Sequence, residues 1–199
     1  MTANDNRIPV TIITGFLGAG KTTLLNNIIR KHSDKRFAII ENEIGEIGID
    51  GGLIVNGSEN NIFELSNGCI CCSLNGDFVE TIETLLKQEH EFDHLLIETT
   101  GIADPNAVVQ SFLSEEFMQM KFRIDSVLCL VDATHAKALI DSEAEVRKQL
   151  SISELIFINK TESSTVDYLS SLQNQLEEIN PTAQIHWVSQ ADIDRKSVV

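Results

Sequence analysis

Gly15-Phe16-Leu17-Gly18-Ala19-Gly20-Lys21-Thr22 follows the spacing G-x-x-x-x-G-K-[ST], with Thr23 directly behind it. Glycines at these positions let successive backbone N–H groups turn towards one anion, and a helix opening at the Lys adds its N-terminal dipole. Lys21 supplies a point charge for β- and γ-phosphates, and the Thr22 hydroxyl is a ligand for Mg²⁺. A glycine turn that merely joined a strand to a helix would need no Lys-Thr pair at this register, so the segment is read as a nucleotide site. Leu95-Leu96-Ile97-Glu98-Thr99-Thr100-Gly101 is an apolar run that ends in an acid, with a glycine three residues on. Beside a P-loop strand such an acid faces the metal and the γ-phosphate, and Gly101 gives a backbone amide room to approach.

Two further segments carry chemistry. Asn159-Lys160-Thr161-Glu162 follows the apolar run Leu155 to Ile158. It matches the guanine-reading pattern N-K-x-D except that Glu162 is one methylene longer than Asp, which weakens discrimination of GTP from ATP. The bland reading is an ordinary loop after a strand. Cys69, Cys71 and Cys72 place three soft thiolates within four positions. Such a cluster suits Zn²⁺ or Cu(I), but a closed tetrahedral site takes four ligands, and Glu41, Glu43 and Glu46 are better placed to complete it than Cys129, which sits inside an apolar strand. A redox-active thiol cluster and a cysteine group without function stay open as alternatives. The histidines His32, His90, His94, His135 and His186 form no metal-ligand pair by spacing, and Trp187 and the phenylalanines read as core positions.

The elements that must position these residues are short β-branched runs alternating with helical segments, the pattern of βαβ units and a parallel sheet. The strands are expected at Val10–Thr14, Phe37–Glu41, Leu95–Glu98, Val127–Val131, Leu155–Ile158 and Ile185–Val188. The helices are expected at Lys21–Lys31, Phe78–Glu89, Asn106–Met118, Ala136–Gln149 and Val166–Ile179, on both faces of the sheet. Pro105 suits a first helical turn. Gly45 to Gly57 is glycine-rich and aperiodic, and is read as a long functional connection. The 199 residues, 42% of them apolar and 23% charged, fit one globular domain. A formal net charge of −15 without a basic block argues against nucleic acid or an anionic membrane as partner. No apolar run approaches the ~20 residues that cross a bilayer, and the polar start does not resemble a secretory signal, so a cytoplasmic location is expected.

TGFLGAGKTTLL, ENEIGEIGID, LSNGCICC, LLIETTGIADP, LVDATHA and INKTE occur in the order seen in the CobW-like family of P-loop GTPases, and the resemblance runs from Val10 to about Val188. It implies an α/β, three-layer P-loop NTPase fold of the SIMIBI type with a mostly parallel central sheet flanked by helices. It further implies slow Mg²⁺-dependent GTP hydrolysis and delivery of Zn²⁺ or another transition metal, Co²⁺ for cobalamin synthesis included, to a metal-requiring client protein. A nucleotide-dependent homodimer is a further expectation. By matching motif, Gly15 to Thr23, Gly101, Asn159, Lys160 and Glu162 bind nucleotide. Lys21, Thr22, Glu43 and Glu98 are the catalytic candidates. Thr22 holds Mg²⁺, while Glu41, Glu46, Cys69, Cys71 and Cys72 hold the transition metal. Residues 1–199 are expected to form a single P-loop GTPase domain without the C-terminal domain common in the family, as in a truncated or minimal member. Two rival readings are a metal or redox sensor that delivers nothing and a small-molecule kinase.

Overall fold

The computed structural model describes residues 5–41, 62–66, 76–87, 92–101 and 104–193. Among these described residues seven strands, β1 (Ile8–Gly15), β2 (Phe37–Glu41), β3 (Ile62–Ser66), β4 (His94–Glu98), β5 (Phe122–Asp132), β6 (Leu155–Asn159) and β7 (Gln184–Trp187), form one sheet in the order β3-β2-β4-β1-β5-β6-β7. Every pairing among them is parallel. The expected α/β architecture is therefore present, with one strand more than the sequence suggested. β3 was missed because five residues between segments of weak pattern carry little signal, and its stability comes from pairing with the distant β2.

The helices are α1 (Lys21–Lys31), α2 (Gly76–Lys87), α3 (Pro105–Ser114), α4 (Glu116–Lys121), α5 (Ala136–Ser142), α6 (Ala144–Ile152) and α7 (Val166–Ile179), with a short 3₁₀ turn at Thr161–Ser163. α1 connects β1 to β2, towards the β3 edge of the sheet. The crossovers that carry α2 to α7 run the opposite way, towards β7. Because parallel crossovers are right-handed, α1 must cover one face and the rest the other. The core agrees. Leu24, Leu25, Ile28 and Ile29 of α1 pack with Ile13, Ile39, Leu96 and Leu128. α2, α3 and α4 pack on Val10, Ile12, Ile40 and Ile97, and α5, α6 and α7 on Cys129, Val131, Ile156 and Ile158.

The expected helices Asn106–Met118 and Ala136–Gln149 are each divided. Glu115 and Glu143 adopt extended backbone (φ −89°, ψ 117° and φ −111°, ψ 114°) and break each segment into two. Neither break has a Gly or Pro to announce it, so residue periodicity runs through both. β5 extends well before Val127 because Phe122, Arg123 and Ile124 pair with Ile8, Pro9 and Val10, and a bulge skips Asp125 between Val10↔Ile124 and Thr11↔Ser126. Pro105 does open α3, with Asp104 capping Asn106 N–H at 2.9 Å. Trp187 corrects another expectation: it lies on edge strand β7, is 39% exposed and donates to Gln173 at 2.8 Å rather than filling the core. The Gly45 to Gly57 connection lies outside the described residues.

Candidate functional site

The chain leaves β1 towards β2 and leaves β4 towards β5, so the order reverses around β1 and opens a crevice at the strands' C-terminal ends. The P-loop fills that end of β1. Gly15, Gly18 and Gly20 have φ of 131°, 76° and 105°, a region L side chains avoid. At Gly15 a Cβ would also lie 2.2 Å from the Leu130 carbonyl, so the loop turns tightly over β5. Gly18 faces open space. Phe16 packs against the α5–α7 core, Ala19 is fully buried, and Leu17 and Thr23 are exposed. Gly20 caps α1, whose first turn carries no acid, so the helix presents an uncompensated positive end to the loop.

Lys21 is 7% exposed and donates to the Phe16 carbonyl at 3.3 Å. Burial pulls its ammonium below the ordinary lysine value, while the Glu98 carboxylate pushes the other way. Thr22 Oγ1 donates to Glu98 Oε1 at 3.3 Å, joining the two motifs that the sequence separates by 76 positions. A hydroxyl and a carboxylate side by side are hard oxygen donors, and they fit Mg²⁺. Thr99 fixes that arrangement from below: its N–H donates to Ile13 O at 2.9 Å and its hydroxyl to Thr14 Oγ1 at 3.0 Å. Gly101 presses on the P-loop so closely that a Cβ there would come within 2.4 Å of Leu17 N. The functional reason for a glycine at Gly101 is thus close backbone approach.

Asn159 ends β6 and is buried. Its Nδ2 donates to Ala19 O at 2.9 Å, and its Oδ1 accepts from Ala191 N at 2.8 Å. It therefore ties the P-loop to the segment after β7. Lys160 has φ 60° and places its ammonium 2.5 Å from Asp132 at the end of β5. Asp132 also accepts from Thr134; although burial raises its pKa, these hydrogen bonds prevail and hold it below the usual value. Glu162 is exposed and its carboxylate accepts from Ser189 Oγ at 2.8 Å. The sequence reading missed Asp132, Ser189 and Ala191. It also missed Asn27, which donates to the carbonyls of Gln190 and Ala191 at 3.1 and 3.0 Å. The signals available were an acid ending an apolar strand, in LVDATHA, and a small-residue turn after the last strand.

Glu41 stands in register with Glu98 on β4 and with Ser66 on β3. Ser66 precedes Cys69 by three positions. Glu43, Glu46, Cys69, Cys71 and Cys72 lie outside the described residues, and among the described residues no group of three or more His, Cys, Asp or Glu could hold a metal. Cys129 is 2% exposed, and burial pushes its thiol up to about 12, in keeping with a small core residue. His94 is buried too, bonded to Thr11 Oγ1 at 2.9 Å, and burial lowers its pKa to about 4. No helix among the described residues is long and apolar enough to cross a membrane.

A phosphate-cradling loop at the switch point of a parallel sheet, with an acid on the adjacent strand end, defines a P-loop nucleotide-binding protein. The profile described as CobW/HypB/UreG, nucleotide-binding domain, matches residues 9–187, and the chain belongs to this family. Over 193 residues it is 38% identical to a protein of Escherichia coli (strain K12) named zinc chaperone YjiA, a match covering 95% of this chain and 60% of that protein. It is 33% identical over 184 residues to zinc-regulated GTPase metalloprotein activator 1 of Schizosaccharomyces pombe, covering 89% of this chain and 45% of that one. The crystal structure of Zn(II)-bound YjiA GTPase from E. coli superposes with a TM-score of 0.72 at 33% identity, covering 95% of this chain and 60% of that chain. The chain thus spans roughly half of the length of the curated relatives it matches.

Proposed function

We propose that the chain is a Mg²⁺-dependent GTPase and metallochaperone that couples nucleotide state to the binding and delivery of a transition metal, zinc first. The observation that carries the reading is the register at the sheet's C-terminal edge. Glu98 sits level with Ile13, two residues before the P-loop begins, and with Glu41, from which the chain enters the acid-bearing segment. β3 ends level with Glu41, three positions before the first cysteine of C-x-C-C. The phosphate site and the segments bearing soft and acidic ligands therefore leave neighbouring strand ends. The zinc named for the relatives supports the choice of cargo.

In this reading the P-loop amides and the α1 terminus neutralise the phosphates, and Lys21 meets the charge that develops on the transferred group. Thr22 and Glu98 would hold Mg²⁺, which supplies charge neutralisation between the β- and γ-phosphates. Asn159, Lys160 and Glu162 frame the base. Glu43 acts in hydrolysis, and Cys69, Cys71, Cys72, Glu41 and Glu46 bind the cargo. Residues 1–199 act as one GTPase domain, in the cytoplasm where thiols stay reduced, handing metal to a client protein, with a nucleotide-dependent homodimer as the assembled state.

The test is Zn²⁺ affinity by chelating-dye competition, with a non-hydrolysable GTP analogue and then GDP. Tighter zinc with the analogue is expected, together with an equal zinc-induced gain in GTP affinity, since coupling is reciprocal. The coupling should vanish when Cys71 and Cys72 become Ser. Equal affinities in the two nucleotide states end the switch mechanism. Coupling without transfer to an apo-client would favour a sensor instead.

A further inference from the structure

Gln149 lies far from the P-loop in sequence, in no nucleotide-binding motif, and is fully buried. Its Nε2 donates to the Gly101 carbonyl at 3.1 Å. Gly101 in turn is the residue whose backbone packs on Leu17 at the tip of the P-loop. Lys148, the preceding residue, reaches Asp104 at 3.7 Å, and Asp104 caps α3. α6 therefore grips the turn after Glu98 at Gly101 and again at Asp104.

The grip comes from a fixed element. Asn180, itself buried, donates through Nδ2 to the carbonyls of Leu150 and Ser153, both at 2.8 Å, and of Ser151 at 3.3 Å. Ser153 Oγ closes the end of α6 on the Gln149 carbonyl at 2.6 Å. Glu154, just beyond, joins β5 through both its carboxylate and its N–H to Val127, at 2.9 and 3.0 Å. A side chain whose own backbone is held this way positions its partner more strictly than a loop residue does.

We infer that Gln149 is a positioning residue for phosphoryl transfer, holding Gly101 against the P-loop so that the turn after Glu98 meets a γ-phosphate in one orientation. This rests on the reading of the site as a GTPase. A diphosphate has no group at that position, so the bond to Gly101 acts on triphosphate binding and hydrolysis and leaves GDP affinity alone. A purely structural role would weaken both nucleotides together.

The test is Gln149→Met, which keeps the side-chain length and removes the donor, compared with the unaltered chain and with Lys21→Ala. The expected result is a folded variant with unchanged GDP affinity and roughly a 5- to 10-fold loss in both GTP-analogue affinity and kcat, the scale of one buried hydrogen bond. Should the Met variant not fold, Gln149→Asn, whose amide stops one methylene short of Gly101, must show the same split. Unchanged analogue affinity and kcat, or equal losses for GDP and the analogue, overturn the inference while the GTPase reading stands. Failure of the unaltered chain to hydrolyse GTP, or hydrolysis indifferent to Lys21→Ala, overturns both.

Discussion

Asn159 is the side chain whose removal should be felt furthest, because it hydrogen-bonds two remote pieces of the site at once. Its amide nitrogen holds the Ala19 carbonyl of the P-loop at 2.9 Å, and its oxygen holds the Ala191 N–H at 2.8 Å. Asn159 is 3% exposed, and Ala19 and Ala191 are fully buried, so water does not readily replace either bond. Truncation to Ala leaves a buried acceptor and a buried donor unmade, at about 1–3 kcal/mol each. A total of about 2–6 kcal/mol is expected, a large share of the ~5–15 kcal/mol by which domains are usually stable. Asn159→Asp separates the two bonds, since a carboxylate still accepts from Ala191 but opposes the Ala19 carbonyl and is itself desolvated. It should therefore be no milder than Ala. Urea unfolding read by circular dichroism gives the stability, and titration with a fluorescent GDP analogue should show weaker binding as the P-loop loses its brace. An Asn159→Ala loss below about 0.5 kcal/mol would refute the assignment of these bonds as structural supports of the site.

Lys21→Ala should reduce GTP hydrolysis by at least ~100-fold, as loss of a charge aimed at the transition state does, and a phosphate-release assay showing wild-type turnover would remove Lys21 from the chemistry. Glu162→Asp should enlarge the preference for GTP over ATP in competition binding, because the shorter acid meets the guanine edge with less bending; equal affinities for the two nucleotides in both proteins would show that this segment does not read the base. Acid should destabilise the fold through His94, whose pKa falls from the ordinary 6.5 to about 4 on burial. The unfolded chain binds the proton first, so the contribution is complete above pH ~6.5 and is lost as pH falls towards ~4, amounting to about 3 kcal/mol. His94→Gln should flatten that part of the stability profile, and an unaltered slope between pH 6.5 and 4 would show that another group sets it.

The P-loop, the acid at Glu98 and the Asn159-Lys160-Thr161-Glu162 run are legible in the sequence because each obeys local rules: glycines where φ must be positive, an apolar run that ends in a polar residue, a fixed spacing. For the same reason α1 and α7 were placed residue for residue, since their buried leucines and isoleucines recur on one helical face. What the sequence leaves undecided depends on partners distant along the chain. β3 exists because β2 pairs with it. The breaks at Glu115 and Glu143 re-aim short helices onto the sheet at residues with no local preference for breaking. Trp187 is exposed because β7 lies at a sheet edge, a fact of strand order that hydrophobicity does not encode. The meeting of Thr22 with Glu98, of Asn159 with Ala19 and Ala191, and of Gln149 with Gly101 likewise follows from parallel crossovers. Local chemistry determined which residues can bind a phosphate, and tertiary structure decided which side chains hold them in place, because hydrogen bonds between remote segments have no periodicity by which a sequence could announce them.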